Sequence, residues 1–172
     1  MLGEEVVEEW LNRKGYFTIR GARVGNYEID ILAIRPLAKG GHARRHIEVQ
    51  ISINPISYLT KLPSAYRKRT GRAPHNAKKR SATLLRRGVR EWVKDKFCNP
   101  QKVKLRRRLC RGAWTRELVV GRIKHEEELP MLKAAGVKIH RLKDILREMS
   151  EKPDVVRSAA GADLYDLMQL RE

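Results

Sequence analysis

The chain has 172 residues, with 38 Lys and Arg against 20 Asp and Glu, a formal net charge of +18 and a sequence pI near 10.4. That length suits one domain with its own core, and 41% hydrophobic content excludes wholesale disorder despite 34% charged residues. No apolar run approaches the ~18 residues of a membrane span, four early glutamates (Glu4, Glu5, Glu8, Glu9) argue against a signal peptide, and Cys98 and Cys110 alone exclude a disulfide scaffold. The expectation is an intracellular, cytoplasmic protein, nucleoid-associated if cellular, with no membrane partner.

Residues 3–14 read as an amphipathic helix, with Val6, Val7, Trp10 and Leu11 at helical spacing and Gly15 as its stop. Tyr16 to Arg20 predicts a strand, 21–26 a turn or short loop, and Tyr27 to Ile34 a second strand stopped by Pro36. Gly40-Gly41 marks a turn before a third strand, His46 to Ile53, ended by Asn54-Pro55. Residues 56–75 read as a basic loop. A helix follows at about 76–97, apolar along Ala82, Leu85, Val89, Trp92 and Val93, basic on its other side, and broken by Asn99-Pro100. Residues 101–112 fit no single element. A strand at 117–124, a short helix at 126–135, a strand at 137–142 and a helix from Lys143 to Met149 come next. Past Pro153 a final helix is predicted at about 155–170, its apolar stripe serving either packing within the chain or a dimer contact. Strands first clustered, then alternating with helices, imply an α/β fold: a central mixed β-sheet flanked by helices. The expected organisation is one domain over 1–150 with a basic insert at about 56–112, then a C-terminal helical arm, 151–172.

The positive charge is concentrated. Residues 61–111 hold 19 Lys and Arg and only two acids, Glu91 and Asp95, so the rest of the chain is close to neutral. A block this one-sided repels itself without a polyanionic partner, most simply nucleic acid. Few aromatics accompany it, which favours tracking of a phosphate backbone over base stacking.

The acids are patterned too. Residues i and i+2 of a strand share a face. Glu28 and Asp30 therefore point together on the second strand, and Glu48, Gln50 and Ser52 on the third, while Ile29, Ile31, Ala33 and Ile47, Val49, Ile51, Ile53 form the opposite, core faces. Neighbouring strands would bring Asp30, Glu48 and Gln50 within reach of one point. Carboxylates inside apolar strands are costly unless paired or bound to a cation; the alternative is a solvated sheet face. On the first helix Glu4 lies at the edge of the apolar stripe and is the acid best placed to lean toward the sheet, with Glu5 and Glu9 facing away. Complementing the helix dipole would explain an acid there equally well.

These residues carry a resemblance. Gly3-Glu4 eleven residues before Gly15-Tyr16, then Glu28-Ile29-Asp30-Ile31-Leu32-Ala33, then Ile47-Glu48-Val49-Gln50, resemble the PD-(D/E)XK nuclease superfamily, especially the small archaeal-type Holliday-junction resolvases and the compact YraN-like proteins of that fold. The match spans about residues 3–53. The family places a helix glutamate, a strand aspartate and an acid-x-lysine at these positions, so the resemblance implies a restriction-endonuclease-like core with Glu4, Asp30, Glu48 and Gln50 as catalytic residues. It implies Mg2+ or Mn2+ held by Asp30, Glu48 and the carbonyl of Val49, with Glu4 on a metal-linked water or second ion. Gln50 departs from the family lysine: it cannot carry charge or shuttle a proton, and would orient the attacking water. Arg20, Arg23 and the basic segment (Lys61, Arg67, Lys68, Arg69, Arg72, Lys78, Lys79, Arg80, Arg86, Arg87) would contact phosphates.

The function so implied is a metal-dependent endodeoxyribonuclease acting on double-stranded or branched DNA, structure-selective in the manner of a junction resolvase. Two alternatives stand beside it: a catalytically inactive nucleic-acid-binding protein with a degenerate nuclease fold, and a sequence-specific restriction-type endonuclease. A symmetric homodimer would let two sites cut two strands. Cys98, Cys110, His125 and His140 match no zinc spacing and read as free core thiols and ordinary histidines, His42 and His46 as turn and strand-edge residues, and Trp10, Trp92 and Trp114 as core anchors.

Overall fold

The computed structural model describes residues 2–151; the predicted helix at 155–170 and the arm 151–172 fall outside them, apart from Glu151. The described residues form an α/β fold of five strands and six helices: α1 (Leu2–Arg13), β1 (Phe17–Val24), β2 (Tyr27–Pro36), β3 (His42–Gln50), α2 (Ser64–Thr70), α3 (Ala82–Phe97), α4 (Pro100–Leu109), β4 (Thr115–Val120), α5 (Glu128–Ala134), β5 (Lys138–Arg141) and α6 (Leu142–Glu151). The sheet order is β1-β2-β3-β4-β5. β1, β2 and β3 pair antiparallel through short turns; β3, β4 and β5 pair parallel, which requires crossovers. No described helix is long and apolar enough to cross a membrane.

Alternation in β2 and β3 sorts the two faces. Ile31, Ala33, Ile47, Val49 and, from β4, Val119 pack with Val6, Val7, Trp10 and Leu11 of α1 and with Ile145 and Met149 of α6. Leu118 and Val120 face the other way, against Val89, Trp92, Val93 and Phe97 of α3 and Leu129 and Leu132 of α5. Each such buried side chain is worth about 1.5–3 kcal/mol relative to exposure. Helix α3 can approach because residue 88 is glycine: a Cβ there would lie 2.9 Å from both the Lys61 carbonyl oxygen and Thr60 Oγ1.

Several boundaries differ from the sequence reading. β1 runs on to Val24 through the residues read as a loop, because Gly21, at φ 63°, lets the chain continue pairing on its far side. β3 starts at His42 and ends at Gln50, so Ile53, expected in the core, is 89% exposed. Helix α2 lies within the segment read as loop. α3 starts at Ala82 rather than near residue 76, where the Ser81 side chain accepts the Leu84 amide. The ambiguous 101–112 stretch is mostly α4: Asn99 accepts the Gln101 amide as N-cap, and Pro100 occupies the first turn, where its missing N–H costs nothing. Glu9, read as facing away, is buried and accepts from Arg13 Nε at 2.8 Å. Cys98 and Cys110, read as core thiols, are free but exposed and half-buried respectively, because they cap the C-termini of α3 and α4.

Candidate functional site

The antiparallel ladder between β2 and β3 ends at Ile31 opposite Ile47, and the β1–β2 ladder skips from Ile31 to Ile29. Asp30 thus has no register partner in either ladder. Its own carboxylate fills the gap: Oδ2 accepts the backbone amide of Val49 at 2.8 Å. Burial, then the charge of Glu48, push the Asp30 carboxyl up to about 6, against the opposing pull of the Val49 amide and Lys96; Glu4 adds a smaller upward push. Glu48 and Glu4 thus act on Asp30 through their charge, while the residues of α1 that pack on the sheet do so on its other face.

Glu48 is fully buried, on the sheet face covered by α3 and α4. Its Oε2 accepts from Lys96 Nζ at 2.5 Å, and its Oε1 from Lys102 Nζ at 3.2 Å and His46 Nε2 at 3.0 Å. Burial alone would raise the Glu48 carboxyl; the hydrogen bond from His46 and the ammonium charges of Lys96 and Lys102 outweigh it and hold the group below its ordinary range. His46 shares the site. Burial pushes its imidazole down to about 4, so it is neutral near pH 7. Arg106 Nη1 lies 2.9 Å from His46 Nδ1 and can only donate, which makes Nδ1 the acceptor and puts the ring proton on Nε2, toward Glu48. Reading His46 as a strand-edge residue is corrected: it is wholly buried and orients the carboxylate.

Lys96, Lys102, His46 and Arg106 were missed in the sequence. The available signal was weak: Lys96 sits among Trp92, Val93 and Phe97, beside the apolar stripe of α3, and Lys102 and Arg106 are four apart on α4. Gln50 shares the face of Glu48, pairs with Val120 in register, and its main-chain oxygen accepts the Gly121 amide at 3.1 Å. Among the described residues no group of three or more His, Cys, Asp and Glu side chains stands ready to hold a metal. The Asp30 and Glu48 carboxylates and the Val49 carbonyl are oxygen donors of the kind hard cations take, with Asp30 Oδ2 on the Val49 amide and both Glu48 oxygens accepting from Lys96, Lys102 and His46.

Around this centre the basic segment is mostly solvent-facing. Lys61, Lys68, Arg69, Arg72, Lys78, Lys79, Arg86 and Arg87 are exposed. Arg67 is half-buried, with its Nε on the Leu62 carbonyl. Arg20 is held by Glu5 and Glu8, and Arg23 by Glu28. Arg80 does not belong to the phosphate-contact set: it is 6% exposed, donates to the Thr60 carbonyl at 2.7 Å and lies 4.0 Å from the Tyr58 ring centroid. It sits beside Glu128, whose buried carboxylate takes the Leu59 and Thr60 amides and the Thr60 hydroxyl.

No protein-family model matches the chain, and no curated protein matches it. Among solved structures, that of a protein of unknown function, AF1548, is similar, with a TM-score of 0.51 and 15% identity over 88% of this chain and 67% of that one. At that identity the likeness is one of fold: the two chains share the α/β arrangement of a mixed sheet flanked by helices.

Proposed function

We propose that the chain is a metal-dependent endodeoxyribonuclease of PD-(D/E)XK type, with Asp30 and Glu48 at its centre. The observation that carries the reading is an acid pair beside the end of the β2–β3 ladder, one carboxyl raised by burial and then by the charge of the other, with the Lys96 ammonium against Glu48. Asp30, Glu48 and the Val49 carbonyl would hold Mg2+ or Mn2+. Such an ion, when bound, polarises a phosphate and lowers the pKa of its water.

The chain's own groups do the rest. His46, locked by Arg106, keeps Glu48 in one rotamer. Lys96 supplies the permanent positive charge that Gln50 cannot, although it comes from α3 rather than from the strand; there it offsets negative charge gathering on a phosphate under attack. Gln50 is left to position water. Exposed bases such as Lys61, Arg86 and Arg87 seat the flanking backbone by charge, giving position without sequence readout.

A second reading has its own support. Both oxygens of Glu48 already accept from ammonium groups, as in a carboxylate that has become structural, so the chain would bind nucleic acid without cutting it. One assay separates the two. Four-way-junction and plain duplex DNA are incubated with Mn2+ or with EDTA, using the wild type and Asp30→Ala. Cleavage that needs the metal and is lost in Asp30→Ala, with binding retained or tightened, supports the enzyme. Binding with no metal-dependent cutting of either substrate supports the second reading, and cutting retained by Asp30→Ala defeats the assignment of Asp30.

A further inference from the structure

On the sheet face that packs α1 and α6, a separate cavity of about 800 Å³ opens where those helices end and β3, β4 and β5 begin. Its floor is Arg45, 8% exposed, whose Nε and Nη2 grip both oxygens of Glu117 at 2.9 and 2.5 Å. Glu117 also accepts from Thr115 Oγ1 at 2.6 Å and contacts His140 Nε2 at 2.7 Å, so its oxygens are fully used. The cavity's other acid, Glu148, is taken by Trp10 Nε1 and by Lys14 Nζ.

The cations are not matched in the same way. The guanidinium groups of Arg35 and Arg45 both lie against Tyr16, 4.8 and 5.2 Å from its ring centroid, with Arg45 also 4.8 Å from the Trp10 ring. Among the described residues Arg35 has no carboxylate partner. Its Nη1 donates to the Lys14 carbonyl at 2.9 Å, and its Nε is closed off from solvent with no acceptor. Lys138, exposed at the mouth, makes no ion pair among the described residues. Two like charges sharing one ring are thus answered by a single saturated acid, and an orphaned buried N–H costs about 1–3 kcal/mol. An anion in the cavity would answer the unmatched charge through the amino groups of Arg35 and Arg45 not already spent on Lys14 and Glu117, and guanidinium N–H groups suit the oxygens of phosphate.

We propose that this cavity binds a phosphate group between Arg35 and Arg45, with Lys138 at its mouth. The inference uses no residue of the carboxylate site and stands or falls apart from the nuclease reading. The full chain, 15N-labelled, is titrated with inorganic phosphate and separately with a 5′-mononucleotide, at constant ionic strength in chloride, while the Trp10 indole N–H resonance is followed. A saturable shift is expected. Arg35→Met and Lys138→Gln should each weaken it, the former by about tenfold or more, equivalent to ~1.4 kcal/mol, while the remote variant Lys133→Gln, exposed on α5, leaves it unchanged. Saturation by inorganic phosphate alone identifies the free ion, and tighter binding of the mononucleotide identifies a terminal phosphate. No saturable shift with either ligand overturns the proposal, as does an affinity indifferent to Lys138→Gln, a surface change that leaves the fold intact.

Discussion

Asp30→Asn should make the protein more stable. The amide keeps an oxygen for the Val49 N–H, so the hydrogen bond that fills the broken ladder survives, while the charge facing Glu48 and Glu4 is removed. The size follows from linkage. A carboxyl held at about 6 in the folded chain and at 3.8 when free costs the folded state about 3 kcal/mol once both states are ionised, at ~1.4 kcal/mol per tenfold in proton affinity. Screening at the partly open rim reduces this to about 2–3 kcal/mol. The sign is that of a raised acid: the folded state binds its proton more tightly, so the penalty is absent below pH 3.8, grows as pH rises toward 6 and is complete above that. Urea unfolding in metal-free buffer at pH 7.5, 5 and 3.5, at fixed ionic strength, measures it. The gain of Asp30→Asn over wild type should be largest at pH 7.5 and shrink toward zero in acid, with unchanged m-values. A loss of stability at pH 7.5, or a gain that ignores pH, would refute the assignment of strain to this carboxylate.

Lys96→Met removes one of the charges that pull the Asp30 carboxyl down, so Asp30 should titrate higher still, visible in its side-chain carbon NMR shift against pH, and metal-dependent cleavage should fall by at least ~100-fold, read as initial nicking rate. Arg86→Gln and Arg87→Gln should each lower the slope of log K against log salt for DNA by about one. Arg80→Gln should leave that slope unchanged and instead lower stability by about 1–3 kcal/mol in urea unfolding, because its guanidinium is spent on the Thr60 carbonyl and Tyr58. Glu117→Gln strands the buried Arg45 and should cost about 3–5 kcal/mol. The hydrogen bond from His140, the hydrogen bond and charge of Arg45 and the Thr115 hydroxyl hold the Glu117 carboxyl far below 4.5 despite its burial, so the stabilisation lost in this variant is complete above pH 4.5 and fades in acid; chemical denaturation at neutral and acidic pH checks both halves.

The one-dimensional pattern determined what depends on near neighbours. Alternation in β2 and β3 is local, and it put Ile31, Ile47 and Val49 in the core and set Asp30 and Glu48 against the other face. The amphipathic stripes of α1 and α3 and the concentration of charge between 61 and 111 were equally readable. The partners of Glu48 were not. Lys96 and Lys102 lie 48 and 54 residues away, across a connection whose path is set by packing and by the Glu128 carboxylate on the Leu59 and Thr60 amides. Nothing in the sequence around Arg80 distinguishes it from Lys79, yet one turns inward and the other to solvent. Periodicity reports which face a residue occupies, because side-chain direction repeats along a strand or helix. It carries no information on which distant element covers that face. Tertiary packing alone therefore decided that Glu48 meets two lysines and a neutral histidine, and that Arg35 and Arg45 share the ring of Tyr16.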